Sequence, residues 1–144
     1  MEILSDILKS LRVSGSVYFC NHIEPPWTIE LHNENKAEFH LVRRGACWVQ
    51  IGDQVDQLFA GDLIFLGPGV HHILTTEPPA GKMGISSDST LMLCGDCTFE
   101  HDTLSPLNDI FNQATIVRED ELNKHPWLKS TFDQLSSEYM EQNP

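Results

Sequence analysis

The sequence predicts an all-β domain closed off by C-terminal helices. Three observations carry that fold class. From about residue 15 to residue 100 the chain is a series of short runs rich in β-branched and aromatic residues, separated by Gly, Pro and Asp. No stretch between those runs has the period of a helix, which excludes alternating βαβ units. Beyond residue 100 the pattern changes to an apolar stripe at helical spacing.

At the start, Ile3, Leu4, Ile7, Leu8 and Leu11 recur at helical intervals, so the segment reads as a short amphipathic helix that covers a core or packs on a partner. SVYFC, WTIEL, EFHLV, ACWVQI, DLIFL, HHILT and LMLCGDCTF then read as strands. Pro25-Pro26, Arg44-Gly45, Gly52-Asp53, Gly61-Asp62, Gly67-Pro68-Gly69 and Pro78-Pro79 are the breaks between them. Short strands at close spacing indicate a sandwich or barrel. Ser105 followed by Pro106 places an N-cap before a proline at the first helical position, predicting a short helix over 106–113. A second helix starts near Pro126 and runs to about 141, because Leu128, Phe132, Leu135 and Tyr139 fall on one stripe. That stripe docks on the chain's own barrel or, in part, on a second copy. The expected organisation is one domain over 1–144, with a barrel over about 15–100 and a helical appendage over 105–142.

Composition bounds the partners. Nine Lys and Arg against 21 Asp and Glu leave a formal charge of −12 on 144 residues. Such a surface repels phosphate, so direct nucleic-acid binding by this chain is excluded, and so is docking on an anionic membrane. No apolar run approaches the roughly 20 residues of a membrane span. The opening segment lacks a basic region, a continuous apolar stretch and a cleavage site, so no secretion signal is present and a cytoplasmic location is expected. Cys20, Cys47, Cys94 and Cys97 are then expected as free thiols. Cys94-Gly-Asp-Cys97 has the spacing of zinc and redox sites, but Cys94 follows Leu-Met-Leu and reads as a small apolar strand residue.

Two segments concentrate the chemistry. In residues 32 to 45, HNENKAEFHLVRRG, strand alternation sends Glu38, His40 and Val42 to one face and Phe39 and Leu41 to the other. In residues 60 to 74, AGDLIFLGPGVHHIL, a strand runs from one glycine turn to another, and His72 opens the next strand. If the Glu38 face lines a barrel interior, His72 joins Glu38 and His40 from the opposing sheet. His32 and Glu34 lie just upstream, and Trp48 is a candidate for lining the same pocket. Imidazoles beside a carboxylate suit a divalent metal (zinc, iron, manganese or nickel) or a polar organic ligand. His71 points away from His72, toward solvent, and Arg43-Arg44 read as solvated charges at a turn.

These two segments resemble the paired motifs of the cupin superfamily. The first motif has a His-X-His pair, a glutamate a few residues on, then six residues and a glycine. Glu38 and Gly45 match its second half, and His32 matches the first histidine, with Glu34 in place of the second. In the second motif Gly61, Gly69 and His72 match, while Gly67 stands where proline is usual and Thr76 where asparagine is usual. Within that superfamily FHLVRRGACWV, AGDLIFLGPGVHHIL, LMLCG and SPLNDIF, in that order, resemble the N-terminal domain of AraC-family transcriptional regulators. The likeness runs from about residue 3 to residue 135.

The resemblance implies a double-stranded β-helix, or jelly-roll barrel, preceded by a short helix. It implies a small-molecule-sensing and dimerisation domain with an effector pocket around His40 and His72 and a second copy as partner; the residue pattern adds Glu38 and Trp48 as candidate effector-binding residues, although Glu38 is not typical of that family. The family's helix-turn-helix is absent from these residues, so the chain corresponds to the sensor half, either as part of a longer protein or standing alone. The other functional reading is a metal-dependent cupin enzyme of dioxygenase or isomerase type, holding its ion with His32, Glu34, Glu38 and His72.

Overall fold

The computed structural model describes residues 11–23, 26–31, 37–78, 89–99 and 114–142. Nine strands occupy most of them: β1 Leu11–Ile23, β2 Thr28–Leu31, β3 Ala37–Arg44, β4 Ala46–Ile51, β5 Gln54–Phe59, β6 Leu63–Leu66, β7 His72–Thr75, β8 Thr90–Phe99 and β9 Ala114–Val117. Two helices follow, α1 Glu119–Leu122 and α2 Pro126–Gln142. The strands form a five-stranded sheet in the order β1-β8-β3-β6-β9 and a four-stranded sheet in the order β2-β7-β4-β5. All pairings are antiparallel.

β3 shows why the sequence folds this way. Ala37 to Val42 are all buried, because one face packs between the sheets and the other beneath the helices. Val42 joins Ile64, Leu66, Met92, Val49 and Leu74 in the inner core between the two sheets. Phe39 and Leu41 join Leu63, Phe65 and Leu93 on the outer face of the larger sheet, where Leu122, Leu128 and Phe132 cover them. The Phe39 and Phe132 rings pack with centroids 5.1 Å apart. The predicted second helix is thus observed, with Pro126 at its first position. Leu128 and Phe132 dock on the chain's own sheet, and full burial of each side chain contributes about 2 kcal/mol. No helix among the described residues is long and apolar enough to cross a membrane.

The helices are latched to the barrel by Asp62. Its carboxylate, 4 % exposed, accepts from the Phe59 N–H at 2.9 Å, from the Glu119 N–H at 3.0 Å and from Arg118 Nη1 at 2.8 Å. It thereby satisfies a backbone donor in the first turn of α1 and fixes the β5–β6 turn in one stroke. The backbone of the same turn holds β3, since Val42 N–H donates to Asp62 O and Gly61 N–H to Val42 O. Gly61 has φ +96°, and a Cβ there would collide with the Glu119 side chain.

Several expectations change. Leu11 opens β1 instead of ending a helix, and residues 3–10 of that proposed helix lie outside the described residues. The helix over 106–113 also lies outside them. Two strands were not read from the sequence. β5, Gln-Val-Asp-Gln-Leu-Phe, is the edge of the smaller sheet and is mostly half-exposed, so it lacks a strong apolar signature. β9 is a four-residue edge strand inside the region read as helical. Arg43 is not simply solvated, because its guanidinium pairs with Asp133 on α2.

Candidate functional site

Glu38 and His40 lie two apart on the inward face of β3. His72 is the first residue of β7 in the other sheet, delivered there by a turn in which Gly69 takes φ +83°. All three side chains are buried, Glu38 to 4 % exposure and both histidines completely. The imidazoles meet Nε2 to Nε2 at 2.8 Å, with ring centroids 5.0 Å apart. His72 Nδ1 lies 3.1 Å from the Val70 carbonyl, to which it donates. His40 Nδ1 has no hydrogen-bond partner among the described residues. Burial, and after it the neighbouring His72, hold the His40 pKa well below the usual imidazole range, so the ring is neutral at pH 7.

The donor atoms of Glu38, His40 and His72 all lie within 4.8 Å of one another. Nitrogen ligands sit about 2.0–2.1 Å from zinc and similar ions. Two of them at a right angle stand about 2.9 Å apart, and two at a tetrahedral angle about 3.4 Å apart. The observed 2.8 Å fits adjacent positions of an octahedral ion. The His72 proton on Nδ1, held by the Val70 carbonyl, is the arrangement that frees Nε2 for a ligand or ion. The residues therefore fit a divalent metal.

Glu38, His40 and His72 are brought together across the two sheets, on the inward face that alternation assigned to the first two. Trp48 is placed elsewhere. Cys47 and Val49 on either side of it belong to the inner core, so Trp48 stands on the other face of β4, buried, with an indole N–H that has no partner among the described residues. His32 and Glu34 lie outside the described residues. The chain on either side of them ends at Leu31, which pairs with His72, and resumes at Ala37, next to Glu38. His71 is exposed and pairs with Glu30 at 2.6 Å, as the alternation predicts.

Two features were not found from the sequence. His40 stands in the sequence-predicted ligand-binding set and outside the sequence-predicted metal set, although its spacing from Glu38 puts both on one face. Cys94 lies directly opposite His40 in the β3–β8 register and is buried in the inner core. No local pattern reveals that register. Cys94 and Cys97 lie along the single strand β8, in keeping with the strand reading of the CxxC segment.

The Cupin family model matches residues 2–144, nearly the whole chain. This chain is a cupin. No curated protein matches its sequence. Among solved structures, the BH2720 protein of Bacillus halodurans is 13 % identical over 57 % of this cupin and 61 % of its own chain, with a TM-score of 0.46. A Cupin 2 conserved barrel domain protein from Salinispora arenicola is 16 % identical over 62 % of this chain and 64 % of its own, with a TM-score of 0.42. The S161A mutant of oxalate decarboxylase from Bacillus subtilis is 22 % identical over 54 % of this chain and 20 % of its own, with a TM-score of 0.41. The cupin thus spans less than two thirds of the length of each of these proteins.

Proposed function

We propose that this cupin is the effector-sensing and dimerisation domain of an AraC-type transcriptional regulator, with the effector bound at Glu38, His40 and His72. The observation that carries the reading is the fully buried His40–His72 pair, with His40 Nδ1 unpartnered among the described residues. An unsatisfied buried polar atom costs about 1–3 kcal/mol, and a site kept for a ligand accounts for that cost. The chain-wide order of the FHLVRRGACWV, AGDLIFLGPGVHHIL and SPLNDIF segments supports the regulator family. The net charge of −12 supports a division of labour in which a separate basic region contacts DNA. Effector binding would bias the arrangement of the C-terminal helices, which meet the barrel at Asp62.

The reading frame beyond the codon for Pro144 is the direct test. A basic helix-turn-helix there is expected, and a stop codon there contradicts the reading. Sedimentation of the purified chain tests dimerisation: a dimer at micromolar concentration is expected, and a monomer contradicts it.

The clustering of three ligand atoms favours a second reading, a metal-dependent enzyme. Glu38, His40 and His72 would hold the ion, and such an ion supplies Lewis-acid or redox chemistry. Metal analysis of protein purified without chelator separates the two readings. About one equivalent of a transition metal supports the enzyme; less than about a tenth counts against it.

A further inference from the structure

We propose that the cleft between the helices and the β5–β6 turn is a second binding site, one that takes a small zwitterion whose ammonium meets Glu119 and whose carboxylate meets Lys129. The cleft lies on the outer side of the larger sheet, apart from Glu38, His40 and His72, and its role holds whether that inner site serves a sensor or an enzyme.

The cleft has a volume of about 220 Å³. Drug-sized pockets run from about 300 to 1,000 Å³, so this one suits a smaller molecule. Leu41 and Leu122, each 3 % exposed, give it an apolar part. Its charged groups are Arg43, Asp133, Glu119 and Lys129. Arg43 and Asp133 are bound to each other. Lys129 Nζ has one partner among the described residues, Asn123 Oδ1 at 3.3 Å, which leaves N–H bonds to spare. The Glu119 carboxylate has no ion-pair or hydrogen-bond partner among the described residues. Its side chain is placed all the same, because it lies against Gly61 where a Cβ would collide with it, and its backbone N–H is held by Asp62. Glu119 and Lys129 thus line one cleft with opposite charges and do not pair with each other.

A purely anionic ligand gains from Lys129 but faces the carboxylates of Glu119 and Asp133, and the chain's net charge of −12 disfavours it further. A purely cationic ligand gains from Glu119 but faces Lys129 and Arg43. A zwitterion gains at both ends and makes two charge-assisted contacts, each stronger than a neutral hydrogen bond. Glu119 opens α1 and Lys129 lies on α2, so a bound zwitterion bridges the two helices beside the β5–β6 turn. It binds only while the helices are docked and therefore stabilises their docking by mass action.

The full chain is titrated at constant ionic strength with glycine, β-alanine and γ-aminobutyrate, which hold their two charges progressively further apart. Butyrate and butylammonium, with one charge each, are titrated beside them. The amide resonances of Gly61, Glu119 and Asn123 in proton–nitrogen correlation spectra read the binding. At least one zwitterion should give saturable shifts with a Kd about fivefold or more below that of either single-charge probe, the factor that one favourable exposed ion pair supplies. Glu119→Gln and Lys129→Met should each weaken that binding about fivefold and keep the parent's urea midpoint, since both side chains are exposed. Lys124→Met removes the same charge outside the cleft and should leave the binding unchanged. A single-charge probe that binds as tightly as the best zwitterion, no saturable shift with any zwitterion, or unchanged affinity in Glu119→Gln or Lys129→Met overturns the proposal.

Discussion

Replacing Asp62 by alanine should release the helices from the barrel and destabilise the fold by about 3 kcal/mol. The magnitude follows from what the carboxylate holds. The loss of its hydrogen bond to the Glu119 N–H, at 3.0 Å, leaves a first-turn backbone donor of α1 without its acceptor and costs about 1 kcal/mol. Loss of the bond to the Phe59 N–H, at 2.9 Å, leaves a donor in the β5–β6 turn and costs about as much again. The Arg118 pair is worth less, about 0.5–1 kcal/mol, because the Arg118 side chain is 46 % exposed and screened by water. For a chain of this length, about 3 kcal/mol lowers Tm by about 10 °C. Thermal and urea unfolding followed by circular dichroism read both quantities. Asp62→Asn retains one acceptor oxygen and should cost roughly half as much as alanine. A loss below about 1 kcal/mol for Asp62→Ala, or equal losses for the two variants, would refute the latch.

Three further predictions follow from the packing and the titration directions. His40 is held neutral by burial and then by His72, so its folded pKa lies below the unfolded value near 6.5. The stability this confers is fully present above pH 6.5 and is lost as the pH falls toward the folded pKa, because the unfolded chain takes up the proton first. Urea midpoints should therefore drop between about pH 7 and pH 5.5, and a flat profile contradicts the buried neutral ring. Burial pushes the Cys47 thiol from its usual 9.0 up to about 12, so the native chain at pH 8 should leave Cys47 unmodified by iodoacetamide, while urea exposes it. Peptide mapping reads the difference, and rapid native labelling of Cys47 contradicts its burial. Phe132→Ala, which empties the contact with Phe39, should cost about 3–5 kcal/mol in chemical denaturation. A loss under about 1 kcal/mol would mean that α2 does not dock on its own sheet.

The legible parts of this fold were those in which local pattern and tertiary environment agree. β3 and β6 are short apolar runs bounded by Gly45 and Gly61, and α2 carries Pro126 at its start and Leu128 and Phe132 on one face. β5 and β9 escaped because edge strands bury less and so show a weaker pattern. The inward turn of Glu38 and His40 was legible from alternation alone. The meeting of His40 with His72 was a reasoned expectation, but its 2.8 Å geometry and the Val70 carbonyl that sets the His72 tautomer depend on long-range packing. Trp48 shows the limit of reading an aromatic as pocket-lining. Strand phase, not side-chain size, decides which face it takes, and Cys47 and Val49 hold the inward positions of β4. The Arg43–Asp133 pair joins residues 90 positions apart, and no local pattern encodes it.

The central claim is that the His40–His72 pair is kept for binding and not for holding the barrel together. The most direct test is the stability of the double variant His40→Leu with His72→Leu, measured by urea denaturation beside His72→Leu alone. Removing one partner strands the other's buried nitrogen and should cost about 1–3 kcal/mol, whereas replacing both by apolar side chains removes the two facing nitrogens together and leaves the half-buried Val70 carbonyl without its His72 donor. A double variant within about 1 kcal/mol of the parent, or more stable than it, is expected. A double variant that loses more than about 3 kcal/mol would make the pair a structural element of the barrel and contradict the account.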